Sequence, residues 1–128
     1  MSHIHQNDTI VVTGGTGFLG TAVTAELKSQ GYTNVVTLGS THYDLRKTNS
    51  VHGLYKHHRP DVVIHLAATV GGIGANKENP GRFMYENLIM GTNLIEHGRH
   101  KNLKKFVMVG TVCAYPKFTP VPFKEESI

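Results

Sequence analysis

The sequence predicts an α/β fold in which helices alternate with the strands of a doubly wound parallel sheet. Three short apolar runs, at 9–13, 34–38 and 62–67, are rich in β-branched residues, as is typical of strands buried on both faces. Segments with helical spacing of apolar residues follow these runs after short loops. Such strand–helix–strand repeats require right-handed crossovers, which make the strands parallel.

The first predicted strand, 9–13, runs into a glycine-rich turn and then into a helix over about residues 18–30. Gly31 is expected to stop this helix, because glycine readily takes the left-handed conformation found after a helix end. Apolar residues recur along the helix at a spacing of four, at Leu19, Val23 and Leu27, and Ala22 widens the stripe.

The middle of the chain predicts a strand at 34–38, a short helix ended by Pro60, and a strand at 62–67. One face of the short helix is marked by Val51, Leu54, Tyr55 and His58. His65 lies inside the third strand, where we expect a buried, hydrogen-bonded structural histidine.

Asn79 and Pro80 predict an N-cap and a first-turn proline at the start of the longest helix. Its expected buried stripe consists of Met84, Leu88, Gly91 and Ile95. Asn87 lies on or near that stripe, so its amide must find partners, and we expect it to bond backbone near the site.

A fourth strand is expected at 106–109, and the prolines after Tyr115 argue against regular structure there. No later strand or helix covers the next edge of the sheet, and a bare apolar edge is a liability for a folded protein. We therefore expect a sheet truncated after about four to five strands, within a longer chain or one that needs a partner.

The composition fits one intracellular domain over residues 1–128. The charge of +4 is spread without a like-charge block, which gives no indication of nucleic-acid binding. The single cysteine, Cys113, excludes an internal disulfide and fits a reducing cytoplasm. The chain has no apolar run of the roughly 20 residues that a membrane span requires.

Two groups of polar residues invite functional interpretations that the sequence does not favour. His52, His57 and His58 have no carboxylate at ligand spacing, so we expect them to lie in contact with solvent and not to bind a metal. Solvation is also the simpler account of three lysines between the last helix and the fourth strand, Lys101, Lys104 and Lys105.

The glycine-rich turn carries the clearest chemistry in the sequence. Gly14 is placed to make the tight turn out of the first strand, Gly17 to approach a pyrophosphate, and Gly20 to let the helix pack closely. The helix start supplies unpaired N–H groups and the positive end of the helix dipole. Between a strand and a helix, this pattern predicts a Rossmann-type dinucleotide site.

The cofactor is expected to be NADP, with NAD not excluded. The end of the second strand, 38–41, has no acidic residue to bind a ribose 2′-hydroxyl and repel a 2′-phosphate, but it has no arginine either. Asp44 and Leu45 could flank the adenine, although a simple turn before the next helix explains them equally well.

Residues 11–20 together with 65–68 resemble the extended short-chain dehydrogenases/reductases. Three further elements, 69–76, Asn79-Pro80 with Asn87-Leu88, and 109–116, closely resemble the GDP-L-fucose synthases over essentially the whole chain. The resemblance implies a cytoplasmic, homodimeric enzyme that converts GDP-4-keto-6-deoxy-D-mannose by 3,5-epimerisation and NADPH-dependent 4-reduction.

The resemblance also implies roles for individual residues. Thr111 would hydrogen-bond the keto oxygen of the sugar, and Cys113 would exchange protons during epimerisation, since inverting a centre next to a ketone needs a second acid of suitable pKa. The residues expected to contact the cofactor are Gly14, Gly15, Thr16, Gly17, Phe18, Leu19, Gly20, Ser40, Asp44, Leu45, Ala67, Ala68, Val109 and Gly110.

The sequence departs from this family at one catalytic element. A Tyr-x-x-x-Lys pair is expected downstream of Thr111, but the only such spacing, Tyr43 to Lys47, lies upstream on the adenine side. We therefore expect this polypeptide alone to lack turnover. Two alternatives stay open, namely another sugar-nucleotide epimerase or dehydratase, which the absence of a Thr-Asp-x-x-Tyr-Gly stretch disfavours, and a non-catalytic NAD(P)-binding module.

Overall fold

The computed structural model describes residues 3–128 and confirms a parallel α/β sheet. Its four strands are β1 (Ile10–Thr13), β2 (Val35–Leu38), β3 (Val62–His65) and β4 (Lys105–Met108). They lie in the order β2-β1-β3-β4, and every neighbouring pair is parallel. Because β2 lies on one side of β1 and β3 on the other, the connections on the two sides diverge. A crevice therefore opens at the carboxyl ends of β1 and β3.

The helices follow the predicted order with one addition. They are α1 (Phe18–Ser29), α2 (Thr48–His58), α3 (Ile73–Glu78) and α4 (Pro80–His100), with 3-10 turns at Val112–Ala114 and Glu125–Ser127. The sequence did not predict α3. Asn79 and Pro80 do begin α4, but the Asn79 side chain makes no capping bond and donates to the carbonyl of Ala75 instead.

The larger core cluster lies between the sheet and helices α2 and α4. Val11, Leu38 and Val63 extend into it from the sheet, and Leu54 and Leu94 are among the residues that meet them from the helices. The hydroxyl of Tyr55, which is also buried there, donates a 2.7 Å hydrogen bond to the carbonyl oxygen of Leu94. Burial also raises the pKa of this phenol, so the group stays a neutral donor.

The opposite face of the sheet is covered only in part. Ile10, Val12 and Val62 form a smaller buried cluster against which Leu27 of α1 packs. The predicted apolar stripe of α1 is only partly correct, because Leu19 is 45% exposed and the buried residues of the helix are Gly20 and Thr24. Small residues are buried here because the helix starts close to the backbone of β1.

The predicted buried face of α4 is correct for Gly91 and wrong for its three other residues. Met84, Leu88 and Ile95 are exposed, whereas the residues that face the core are Glu86, Met90, Gly91, Asn93, Leu94 and Gly98. The polar members of this face are hydrogen-bonded, which makes their burial acceptable. Asn93, for example, donates to the carbonyl of Leu45 at 3.0 Å.

Lys104 is not simply solvated, contrary to the sequence-based expectation. Its ammonium group lies 2.7 Å from the carboxylate of Asp8 and 3.1 Å from that of Asp61. Asp61 also accepts from the backbone N–H of Thr9. These contacts join the amino ends of β1, β3 and β4.

We predict that replacing Tyr55 with phenylalanine lowers the free energy of unfolding by about 1–2 kcal/mol, because the buried carbonyl of Leu94 loses its donor. Denaturant unfolding followed by circular dichroism measures this change. The control is Tyr85→Phe, the same chemical change on an exposed residue of α4. Equal stability of the two variants would contradict a structural role for the Tyr55 hydroxyl.

Candidate cofactor site

The glycine loop between β1 and α1 is packed too closely to admit side chains. Gly14 has a φ of +68°, and a Cβ there would lie 2.6 Å from the backbone nitrogen of Ala67, just beyond β3. A Cβ on Gly20 would overlap the carbonyl oxygen of Gly14 and come within 2.5 Å of the Cα of Gly15. Glycine is therefore required at both positions.

This packing directs the start of α1 into the crevice. Gly17 donates its backbone N–H to the carbonyl of Gly14, and the first helical bond runs from the N–H of Thr21 to the carbonyl of Gly17. The N–H groups of residues 18–20 precede that bond. A helix start of this kind attracts anionic groups, above all phosphates.

A cavity of about 550 Å³ opens in front of the loop. Eight of the expected cofactor residues line it: Gly14, Thr16, Gly17, Ser40, Asp44, Leu45, Ala67 and Ala68. The other lining residues are Thr13, Leu38, Gly39, Tyr43, Arg46, Leu66, Thr69, Arg82, Glu86 and Met90. These residues form a glycine-rich cradle for a pyrophosphate and a wall of mixed apolar and polar side chains for an adenosine.

The remaining expected residues lie outside this lining. Gly15 and Gly20 are buried against the loop itself, while Phe18 is fully exposed and Leu19 is partly exposed, so these two can offer a cofactor mainly their backbone N–H groups. Those expected after β4, namely Val109, Gly110, Thr111 and Cys113, are exposed.

Four charged side chains in the cavity neutralise one another. Arg46 binds Asp44 at 2.8 Å and Glu86 at 3.1 Å, and Arg82 also binds Glu86 at 3.1 Å. Hydrogen bonding from Arg46 holds the pKa of Asp44 below its usual range. The two carboxylates therefore carry compensated charge, and an anionic ligand meets less repulsion than their number suggests.

Glu86 also connects the loop after β3 to α4. It accepts a 2.8 Å hydrogen bond from the hydroxyl of Thr69, which is the first cause of its lowered pKa, followed by the bond from Arg82. The neighbouring Asn87 accepts from the N–H of Thr69 at 2.7 Å and donates to its carbonyl at 2.9 Å. The expectation that Asn87 bonds backbone near the site is confirmed.

Arg46, Arg82 and Glu86 also line the cavity, but the sequence did not predict them there. The position of Arg46 directly after the adenine-side pair was the one available signal. Glu86 lies 40 residues further along, and no local pattern indicates that the two meet.

His65 is the buried, hydrogen-bonded histidine that the sequence predicted. Its Nδ1 lies 2.7 Å from the hydroxyl of Thr13, which joins the carboxyl ends of β1 and β3 beneath the cavity. Burial lowers the pKa of His65, so the ring stays neutral near pH 7. The bond links two residues that are paired in register on adjacent strands, at the point where the glycine loop departs.

Thr111 and Cys113 lie together in a turn that follows β4. The backbone N–H of Cys113 donates to the Thr111 hydroxyl at 3.2 Å, and the N–H of Ala114 donates to the Thr111 carbonyl at 3.1 Å. Both side chains are exposed. Because β4 is parallel to β3, this turn lies at the same edge of the sheet as the glycine loop.

A smaller cavity of about 430 Å³ lies at the opposite edge, where the cations Lys56, Arg59 and Lys101 surround helix ends. The C-terminal dipoles of α2 and α4 account for cations at that place.

Within residues 3–128, no three or more His, Cys, Asp or Glu side chains are arranged to hold a metal ion. His57 and His58 instead both contact the hydroxyl of Tyr43. No helix in the described part of the chain is both long and apolar enough to cross a bilayer.

The fold and the glycine cradle define a dinucleotide-binding α/β protein, and comparison with known families agrees. Residues 10–128 match the NAD dependent epimerase/dehydratase family. The chain belongs to this family.

The relatives are GDP-sugar enzymes, as the sequence resemblance predicted. The chain is 39% identical to GDP-L-colitose synthase of Yersinia pseudotuberculosis over 84% of its own length and 35% of that protein. It is 37% identical to GDP-L-fucose synthase 1 of Arabidopsis thaliana over 93% of its length and 37% of that protein. The chain thus spans just over a third of these relatives.

A solved structure agrees with the sequence comparisons. The GDP-D-glycero-L-gluco-heptose synthase from Campylobacter jejuni, determined in the presence of NADPH, superposes with a TM-score of 0.90 at 32% identity. The match covers 98% of this chain and 36% of that one.

We predict that Gly20→Ala destabilises the fold by about 1–3 kcal/mol and weakens NADPH binding at least about tenfold, because the added methyl group forces the loop away from α1. Thermal unfolding and fluorescence titration measure the two effects. Gly74→Ala is the matched control, since a Cβ there meets nothing within 4 Å. Wild-type NADPH affinity in the Gly20 variant would show that the loop does not form the site.

Proposed function

We propose that this chain is the cofactor-binding part of a cytoplasmic, dimeric GDP-keto-sugar epimerase/reductase of the GDP-L-fucose synthase type. Its substrate would be GDP-4-keto-6-deoxy-D-mannose, converted by 3,5-epimerisation and NADPH-dependent 4-reduction. Residues 1–128 would form one NAD(P)-binding domain. The observation that carries the proposal is the glycine cradle lying at the same sheet edge as the Thr111–Cys113 turn.

The cofactor would lie with its pyrophosphate on the loop at Gly14 and Gly17 and its adenine beside Asp44 and Leu45. These groups line one continuous cavity. The start of α1 would neutralise part of the phosphate charge. NADPH supplies hydride to the keto carbon when it is bound.

Thr111 and Cys113 would act on the sugar. The Thr111 hydroxyl already accepts from the N–H of Cys113, which leaves its own hydrogen available for the keto oxygen of the sugar. The exposed side chain of Cys113 could, as a thiolate, accept a proton from a carbon next to the ketone and, as the resulting thiol, return one to it. The names of the relatives, GDP-L-colitose synthase and GDP-L-fucose synthase 1, support a GDP-sugar as the substrate.

We expect NADPH to stabilise the chain against thermal unfolding. A free NADPH concentration one hundred times the dissociation constant contributes about 2.7 kcal/mol, which raises the melting temperature by several degrees. Differential scanning fluorimetry with NADPH and NADH measures this shift, with Gly20→Ala as the variant expected to respond least. No shift for either dinucleotide at millimolar concentration would contradict the proposal.

The same preparation tests whether the chain catalyses reduction of the keto sugar. The 128 residues contain no Tyr-x-x-x-Lys pair after Thr111, and in the enzymes that the chain resembles such a pair would supply the proton that accompanies the hydride. We therefore propose that the 128-residue polypeptide binds NADPH without reducing the keto sugar. Loss of NADPH absorbance that depends on the GDP-keto sugar would contradict this part and point to another proton donor.

A further inference from the structure

We propose that His42 recognises the 2′-phosphate of NADP(H), together with the hydroxyl of Ser40, and so determines the choice of NADP(H) over NAD(H). This inference rests on the proposed function, because it assigns one part of the same dinucleotide site. No arginine or lysine occupies the end of β2 at 38–41, so the expected selectivity must come from other groups.

The turn after β2 lies where the adenosine ribose belongs in a Rossmann-type site. Gly39 and Ser40 line the cavity directly after the strand ends at Leu38. The backbone N–H of His42 bonds the carbonyl of Gly39 at 3.2 Å, which closes the turn. His42 is thereby held next to two residues of the cavity wall.

The imidazole of His42 is anchored through one nitrogen only. Its Nδ1 lies 3.1 Å from the backbone nitrogen of Gly39, which can donate to it, and 3.3 Å from the carbonyl oxygen of Gly39. When Nδ1 accepts that bond, the ring hydrogen resides on Nε2. The protonated ring can donate from Nδ1 to the carbonyl instead. When Nδ1 accepts from Gly39, the Nε2 hydrogen can be given to a phosphate oxygen, whereas a neutral ring that donates from Nδ1 has no such hydrogen.

The surrounding charges favour a phosphate at this rim. Asp44, the nearest carboxylate along the chain, is neutralised by Arg46 at 2.8 Å and approached by Lys47 at 3.8 Å. On α2, the rings of His57 and His58 both contact the Tyr43 hydroxyl.

The ring of His58 lies near those of His57 and His42, and its hydrogen-bond partner Tyr43 lines the cavity. The pKa of His58 is lowered first by burial and then by the charges of His57 and His42, which places the three rings within electrostatic range of one another.

The test compares affinities for NADPH and NADH in the 128-residue chain by fluorescence titration at neutral pH. His42→Ala should reduce the ratio of NADPH to NADH affinity about fivefold, the size expected for one partly exposed charge-assisted hydrogen bond, with NADH affinity unchanged. His42→Asn should do the same while keeping a side-chain acceptor for the N–H of Gly39. His42→Arg, a permanent cation at the same place, should raise the ratio.

His52→Ala is the matched control, because that histidine is exposed on α2 and its ring contacts His97 of α4. Its affinity ratio should equal that of the unaltered chain. Adenosine 2′,5′-bisphosphate and AMP, used as competing probes, should show the same difference between the His42 variants.

Two results would overturn the inference in different ways. If the His42 variants weaken NADPH and NADH equally, or leave the ratio unchanged, His42 supports only the turn, and the proposed dinucleotide function stands. If the unaltered chain binds neither dinucleotide, the proposed function fails and the role of His42 fails with it.

Discussion

The close packing of β1, the glycine loop and α1 against β3 is the constraint on which the rest of the site depends. No Cβ fits at Gly14 or Gly20, because backbone atoms occupy the space that it would need. The parallel pairing of β1 with β3 sets their separation, and the bond between Thr13 and His65 adds a side-chain link at this point. With these distances fixed, the start of α1 can only face the crevice at the strand ends, and the phosphate cradle follows from the packing.

The second organising feature is a charge network that connects the two walls of the cavity. Arg46, in the loop after β2, reaches Glu86 on α4, and Glu86 in turn holds Arg82 and the hydroxyl of Thr69. The network fixes the loop that would receive the adenine while neutralising the carboxylates near an anionic ligand. The same contacts therefore stabilise the fold and prepare the site, and the cofactor would meet a preformed wall.

Local patterns in the sequence predicted the strands, the glycine loop and the buried His65, because each is marked by a short run of consecutive residues, although the partner of His65, Thr13, lies 52 residues away. The face of α4 could not be predicted in this way. That helix has apolar residues on two sides, and its buried side includes Asn93, whose partner Leu45 is distant in sequence. The ion pairs of Lys104 and Glu86 could not be predicted for the same reason, since their partners Asp8 and Arg46 lie in other parts of the fold.

The most direct test of the central claim is a backbone amide NMR titration of the chain with NADPH. The account predicts the largest shifts at residues 14–20 and at Ala67, where the loop meets β3, with the opposite end of the sheet unchanged. Shifts confined to the basic cavity around Lys56, Arg59 and Lys101 would mean that the phosphates bind there by charge alone, and the glycine loop would not be the cofactor site.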